Sequence, residues 1–97
     1  MKIDNDLVEL ASDKGFISRA YILCSVKNYD LWLEEVKNWL REKHNLHIEI
    51  RFYNKGEYYM YDFLITNIKT FKNIQSEFFG FYNKMLISAI QESLKLI

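Results

Sequence analysis

The sequence has little of several residue types that mark common protein classes. It contains no proline, three glycines and a single cysteine, Cys24. One cysteine cannot form an intramolecular disulfide, and three glycines leave little material for a loop that cradles phosphate. The Gly-x-Ser-x-Gly elbow and paired Asp/Glu signatures of hydrolases are missing as well. We therefore predict that the protein is not an enzyme and binds no cofactor.

A net charge and a long apolar run are also missing. Thirteen basic residues balance thirteen acidic ones, so no overall field draws the protein onto nucleic acid or anionic lipid. No apolar run approaches the roughly 18 residues of a membrane-spanning helix. The first residues lack the basic start and apolar run of a secretory signal. We expect a cytoplasmic protein without a membrane partner.

The residues that are present can build one hydrophobic core. Hydrophobic residues make up 49% of the 97-residue chain and aromatic residues 16%, which suits a single small domain. Apolar side chains at helical spacing predict a short helix over Asp4–Lys14, a second over Asp30–His44 and a third from Tyr82 onward. The stripe of the second helix consists of Tyr29, Trp32, Leu33, Val36, Trp39 and Leu40. Residues 1–97 are predicted to form one domain.

Strict alternation of apolar and polar residues predicts a β-hairpin in the middle of the chain. The first strand begins at Leu46, and Asn54–Glu57 form the turn, with Lys55 and Gly56 at its centre and Phe52 opposite Tyr59. A further strand is expected over Tyr21–Val26, and residues 68–81 are expected to form a loop or a short extra turn. The predicted fold class is α+β, with a two- to three-stranded antiparallel sheet packed on two amphipathic helices.

One face of this hairpin is the predicted partner-binding surface. Tyrosine, arginine and methionine are enriched where proteins meet, and the alternation places such residues together on the face turned away from the core. The predicted contact residues are Arg51, Tyr53, Tyr58, Met60 and Asp62. The alternative is that the first strand or residues 68–81 simply cover this face.

Two other kinds of partner remain open at this stage. Basic residues among aromatic ones favour RNA binding, for which the candidates are Arg41, Lys43, Arg51 and Lys55. The helix–strand–helix order is similar to that of the double-stranded-RNA-binding domain, although only Lys84 is basic where that domain has its basic cluster. The edge of the hairpin also offers a surface for a homodimer.

The histidines and the cysteine are weak candidates for chemistry. His44 and His47, with Glu42 and Glu49 nearby, resemble a metal cluster in composition. His44 ends a predicted helix and His47 begins a strand, so neither helical ligand spacing nor a third ligand is assured. We predict no metal site, and we expect Cys24 to be a buried, inert side chain.

Two segments resemble a family of small uncharacterised proteins of Bacteroidetes phages and mobile elements. They are residues 31–48, with Trp39-Leu40-Arg41-Glu42-Lys43-His44 at their centre, and residues 82–97, which end in Leu94-Lys95-Leu96-Ile97. Asn83 and Lys84 depart from the family pattern, which is acidic there. The resemblance implies a protein that binds a host protein or protein–RNA complex, such as an anti-CRISPR-like modulator of host defence.

Overall fold

Helices and strands occupy separate stretches of the chain. A computed structural model describes residues 5–17 and 29–97. Its elements are α1 (Asn5–Asp13), α2 (Tyr29–His44), β1 (Leu46–Lys55), β2 (Tyr58–Asn67), β3 (Asn73–Gln75) and α3 (Tyr82–Lys95). The predicted α+β class is confirmed. The strand predicted over Tyr21–Val26, together with Cys24, lies outside the described residues.

The turn after helix α1 contains a glycine, and the residue that follows this glycine packs against α2. Gly15 has a φ of +100°, a left-handed conformation that favours glycine. The Phe16 amide then donates to the Ala11 carbonyl at 3.0 Å, as in a Schellman motif. The buried Phe16 ring lies 5.8 Å from the Trp32 ring and 5.3 Å from the Trp39 ring. The first turn after α1 therefore joins the core.

Helix α2 buries the stripe that its sequence predicts. Trp32, Leu33, Val36 and Leu40 are buried and Trp39 is partly buried. The helix stops before Asn45, whose φ of +59° is tolerated by asparagine better than by most residues. The chain turns there and enters β1 directly at Leu46.

The hairpin of β1 and β2 forms where it is predicted, but the predicted register is wrong by two residues. Phe52 pairs with Tyr61, and Lys55 pairs with Tyr58 around a Gly56-Glu57 loop. Only Gly56 in this loop has a positive φ, +72°, as a type II′ turn requires. The predicted turn would have placed Lys55 at a position that suits glycine. A two-residue shift keeps each side chain on its predicted face.

The segment predicted as a loop contributes the third strand. The Asn67 side-chain oxygen accepts hydrogen bonds from the amides of Lys69 and Thr70 at 3.0 and 3.1 Å, which turns the chain back along β2. Strand β3 then pairs antiparallel with β2. Further on, Gly80 exchanges two backbone hydrogen bonds with Tyr61, at 2.8 and 2.9 Å. The segment therefore remains attached to β2 almost to the start of α3.

Helices α2 and α3 cover the same face of the sheet. From α3, Met85, Leu86, Ala89, Ile90 and Leu94 enter the core, where they join α2 side chains and the sheet residues Leu46, Ile48, Phe63 and Ile65. This face is called the inner face below, and the opposite one the outer face. Across the described residues, no helix is long and apolar enough to cross a membrane.

Candidate functional site: an aromatic hairpin tip

The register brings the predicted partner-binding residues together on the outer face. Arg51 pairs with Asp62 and Tyr53 pairs with Met60, while Tyr58 follows at the start of β2. Cross-strand partners have side chains about 5 Å apart on one face of a sheet. The five residues therefore form one continuous strip, but they do not share one environment.

Asp62 is fully buried, although it was expected to be exposed on this face. Its two carboxylate oxygens accept hydrogen bonds from the Arg51 Nε at 2.9 Å and Nη2 at 2.6 Å. The Gln75 side-chain nitrogen donates to Oδ2 at 3.3 Å. Since these residues lie on β1, β2 and β3, the carboxylate ties the three strands together. We call this group the Asp62 clamp.

The electrostatics of the Asp62 clamp are those of a structural ion pair. Hydrogen bonding from Arg51 lowers the pKa of the Asp62 carboxyl, against the opposing effect of burial, and Gln75 and Tyr53 lower it further by hydrogen bonding. The same pairing raises the pKa of Arg51. Two of the five predicted contact residues, Arg51 and Asp62, thus pair their charges and hydrogen-bonding groups with each other.

Beyond the Asp62 clamp, the end of the hairpin is covered with exposed aromatic side chains. They are Phe52, Tyr58, Tyr59, Phe79 and Phe81, with exposed fractions between 47% and 79%. We call this set the aromatic tip. Its rings also contact residues that lie nearer the core: Phe52 is 5.5 Å from the Tyr61 ring, and Phe79 is 5.6 Å from the Tyr53 ring. The tip is therefore anchored at its base and open at its end.

The tip is exposed because the strands are longer than the helices that cover them. Ten residues of strand extend about 30 Å, whereas the 14 residues of α3 extend about 21 Å. Phe52 and Tyr59 point to the inner face, like the core residues Ile48 and Phe63, but they lie beyond the part of that face where the core is packed.

A groove lies between the start of β2 and the segment that precedes α3. It has a volume of about 240 Å³ and is lined by Tyr58, Tyr59, Met60, Phe79, Gly80 and Phe81. The paired backbone hydrogen bonds between Gly80 and Tyr61 fix one wall against the other. The groove can hold one or two apolar side chains of a partner, which is less than the roughly 300 Å³ of a typical small-molecule pocket.

The candidate RNA-binding residues do not converge. Arg41 and Lys43 are exposed in the last turn of α2, whereas Lys55 ends β1, about 30 Å further along the strand direction. Arg51 lies between them and is bound to Asp62. At the start of α3, the Lys84 ammonium lies 6.0 Å from the centre of the Phe78 ring. Within the part of the chain that the structure describes, these candidate residues therefore form no single basic surface for a phosphate backbone.

The histidines lie apart from the tip. The ring of His44 packs edge-on against Trp39 at 4.6 Å, and His47 lies on the outer face near the opposite end of β1. Over residues 5–17 and 29–97, no cluster of three or more His, Cys, Asp or Glu side chains is placed to hold a metal ion.

Comparison with known proteins adds no relative from which a site could be transferred. No family model, no curated protein and no solved structure matches this chain. The candidate site therefore depends on its own geometry. Reasoning from the sequence found Tyr53, Tyr58 and Met60 but missed Phe52, Tyr59, Phe79 and Phe81. A comparison of predicted strand and helix lengths could have indicated the first two.

Proposed function

We propose that the protein is a non-enzymatic binding protein that engages a partner protein through the aromatic tip. The observation that supports this most directly is the exposure of five large aromatic side chains in one cluster. At about 200 Å² for each fully exposed ring, they expose roughly 600 Å² of mainly apolar surface in total. Phe52 and Tyr59 lie on the inner face and Tyr58 on the outer face, so a partner must pack around the end of the hairpin to bury this area. It approaches the roughly 800 Å² that each protein contributes to a standard interface.

The chemistry of the tip favours a protein over a nucleic acid. Tyrosine and phenylalanine anchors around a small groove are typical of the desolvated centre of a protein interface. The basic residues that would neutralise phosphates are spread along the molecule or paired with Asp62. The resemblance of the α2 and α3 segments to Bacteroidetes phage and mobile-element proteins favours a host component, and we propose an anti-CRISPR-like role in modulating host defence.

The test uses two phenylalanines of equal exposure. Phe81, 79% exposed, belongs to the aromatic tip, and Phe71, 78% exposed, lies beyond the far end of β2. The tagged protein, Phe81→Ala and Phe71→Ala are used to capture partners from a bacteroidete lysate, with and without ribonuclease. We expect a ribonuclease-resistant protein partner that Phe71→Ala retains and whose affinity for Phe81→Ala falls at least about 30-fold, as for an interface hot spot.

Other outcomes would identify a different function. Equal capture of the partner by both variants would place the binding surface elsewhere. A partner that is captured only without ribonuclease would favour RNA binding. The role in host defence has its own readout, which is the plating efficiency of a phage on a CRISPR-immune host that expresses the protein. Rescue of plating by Phe71→Ala but not by Phe81→Ala would support it. Arg51 is left unchanged in all variants because its replacement would disturb the Asp62 clamp.

A further inference from the structure

A pocket opens at the end of the sheet opposite the aromatic tip. It lies on the inner face, where β1 begins beside the end of β2, and the residues after α3 form one wall. Its volume is about 260 Å³. Two of its apolar residues, Leu46 and Ile65, are buried, whereas Ile74 and Leu96 are 40% and 51% exposed. The pocket therefore has a buried apolar floor and a mouth that a ligand can reach.

Each polar side chain of the pocket can donate a hydrogen bond. These side chains are His44, Asn67, Thr70 and Lys72. The Asn67 side-chain oxygen already accepts from two turn amides, so its amide nitrogen is the part that can bind a ligand. The Thr70 hydroxyl accepts from the Lys72 amide at 3.4 Å and keeps its own hydrogen to donate. None of the described residues that line the pocket is acidic.

Lys72 supplies the positive charge at the mouth. The Asn67 amide donates to the Lys72 carbonyl at 2.9 Å, which continues the register of β2 and β3 by one residue. Side chains alternate along a strand, so Lys72 lies on the inner face together with Ile74. Within residues 5–17 and 29–97, its ammonium forms no ion pair with a carboxylate. The main-chain oxygen of Ile97, at another wall, is bound by the Lys14 ammonium at 2.5 Å.

We propose that this pocket binds a small carboxylate with an apolar chain. The carboxylate accepts hydrogen bonds from Lys72 and Thr70, and the chain lies against Leu46 and Ile65. An apolar cavity of roughly 150 Å³ holds benzene, so the larger pocket suits a ligand of about ten non-hydrogen atoms, such as octanoate. A drug-sized molecule would not fit, because its pockets begin at roughly 300 Å³.

A neighbouring pocket of the same size has the opposite charge. It also has a volume of about 260 Å³ and shares Ile74 as a wall, but Glu77 and Glu92 line it. A carboxylate would be repelled by these side chains, whereas Lys72 attracts it at the first pocket. Volume alone therefore does not distinguish the two pockets, and the sign of the charge assigns the carboxylate to the one beside Lys72.

This site does not depend on the proposed function. Leu46 and Asn67 pair at one end of the hairpin, and Lys55 and Tyr58 pair at the other, about 30 Å away. A carboxylate bound at the first end would not touch the aromatic tip. Loss of either activity can therefore be measured while the other is retained.

The first test is an NMR titration of the full chain at neutral pH with octanoate, octanol and octylamine. We expect saturable shifts at Ile65 and Ile74 with octanoate, weaker binding of octanol and none of octylamine. Lys72→Met removes the charge and should weaken octanoate about fivefold, the upper range for an exposed ion pair, without changing octanol binding. Lys69→Met, in the same turn but outside the pocket, should leave both unchanged. Equal binding of octanoate and octylamine, or equal effects of the two variants, would overturn the proposal.

The second test separates the pocket from a lipid surface. Ile74→Trp places a larger side chain at the mouth and should abolish binding of octanoate and octanol alike, with circular dichroism showing that the variant is folded. Sedimentation with phosphatidylglycerol vesicles measures attraction to an anionic membrane, and we expect the protein to stay in solution. Binding to vesicles without saturable binding of free octanoate would refute the proposed site.

Discussion

Replacing Asp62 by asparagine should separate the structural role of the outer face from its role in binding. Asp62→Asn keeps the size of the side chain but removes the charge that accepts the Arg51 and Gln75 hydrogen bonds. Hydrogen bonds to a charged group contribute about 1.5–3 kcal/mol, and Asp62 is fully buried. Arg51 is partly exposed and can be rehydrated, so we expect a loss of about 2 kcal/mol at neutral pH.

The loss should depend on pH in a defined direction. The pKa of Asp62 is lowered in the folded protein, first by the Arg51 hydrogen bond, so its contribution to stability is present above the unfolded pKa of about 3.9. It disappears as the pH falls through the lower, folded pKa. The difference in unfolding free energy between the original protein and Asp62→Asn should therefore be largest near neutral pH and shrink below about pH 4.

Urea unfolding followed by circular dichroism at a series of pH values measures this difference. Glu57→Gln, in the exposed hairpin loop, is the control for the loss of one carboxylate. A loss of about 2 kcal/mol corresponds to a fall in melting temperature of about 10 °C for a chain of this size. If Asp62→Asn matched the control at neutral pH, or if its loss were the same at every pH, the ion-pair explanation would be refuted.

Four further substitutions test the fold. Leu40→Ala removes a fully buried side chain of α2 and should cost about 3 kcal/mol in urea unfolding, whereas Leu31→Ala, at an exposed position of the same helix, should cost less than about 1 kcal/mol. Gly56→Ala places a side chain at a φ of +72° and should cost about 1 kcal/mol. The buried Ser93 hydroxyl meets no hydrogen-bond partner among the described residues, so Ser93→Ala should leave the melting temperature unchanged or raise it.

The helices could be predicted from sequence because their signal is repeated along many residues. The stripe of α2 is complete in the sequence, and its burial matches the prediction. The stripe of α3 is equally regular, and Leu86, Ile90 and Leu94 are buried as expected. A periodic pattern determines which side of a helix meets the core, and errors at its ends change little.

The hairpin register could not be read from the same kind of signal. Alternation has a period of two, so a shift of two residues leaves each side chain on the same face. The deciding feature is one backbone angle, the positive φ of Gly56, which makes glycine the first residue of the loop. Strand β3 was missed because only Asn73–Gln75 form it. It is positioned by the turn at Asn67 and by the free backbone groups of β2.

The aromatic tip was missed because alternation indicates a face but not how far the core extends along it. Phe52 and Tyr59 follow the same alternation as Ile48 and Phe63, so the sequence predicts all four on the face turned toward the core. Burial depends on a helix lying above each residue, and the helices are shorter than the strands. The exposure of the tip is thus a consequence of relative lengths, which only the assembled fold displays.

The Asp62 clamp and the aromatic tip can be distinguished by experiment because they depend on different atoms. The Asp62 clamp uses buried side-chain charges, so its loss should lower stability first and binding only through unfolding. The aromatic tip uses side chains that contribute little to the core, so Phe81→Ala should lose the partner while its melting temperature stays nearly constant.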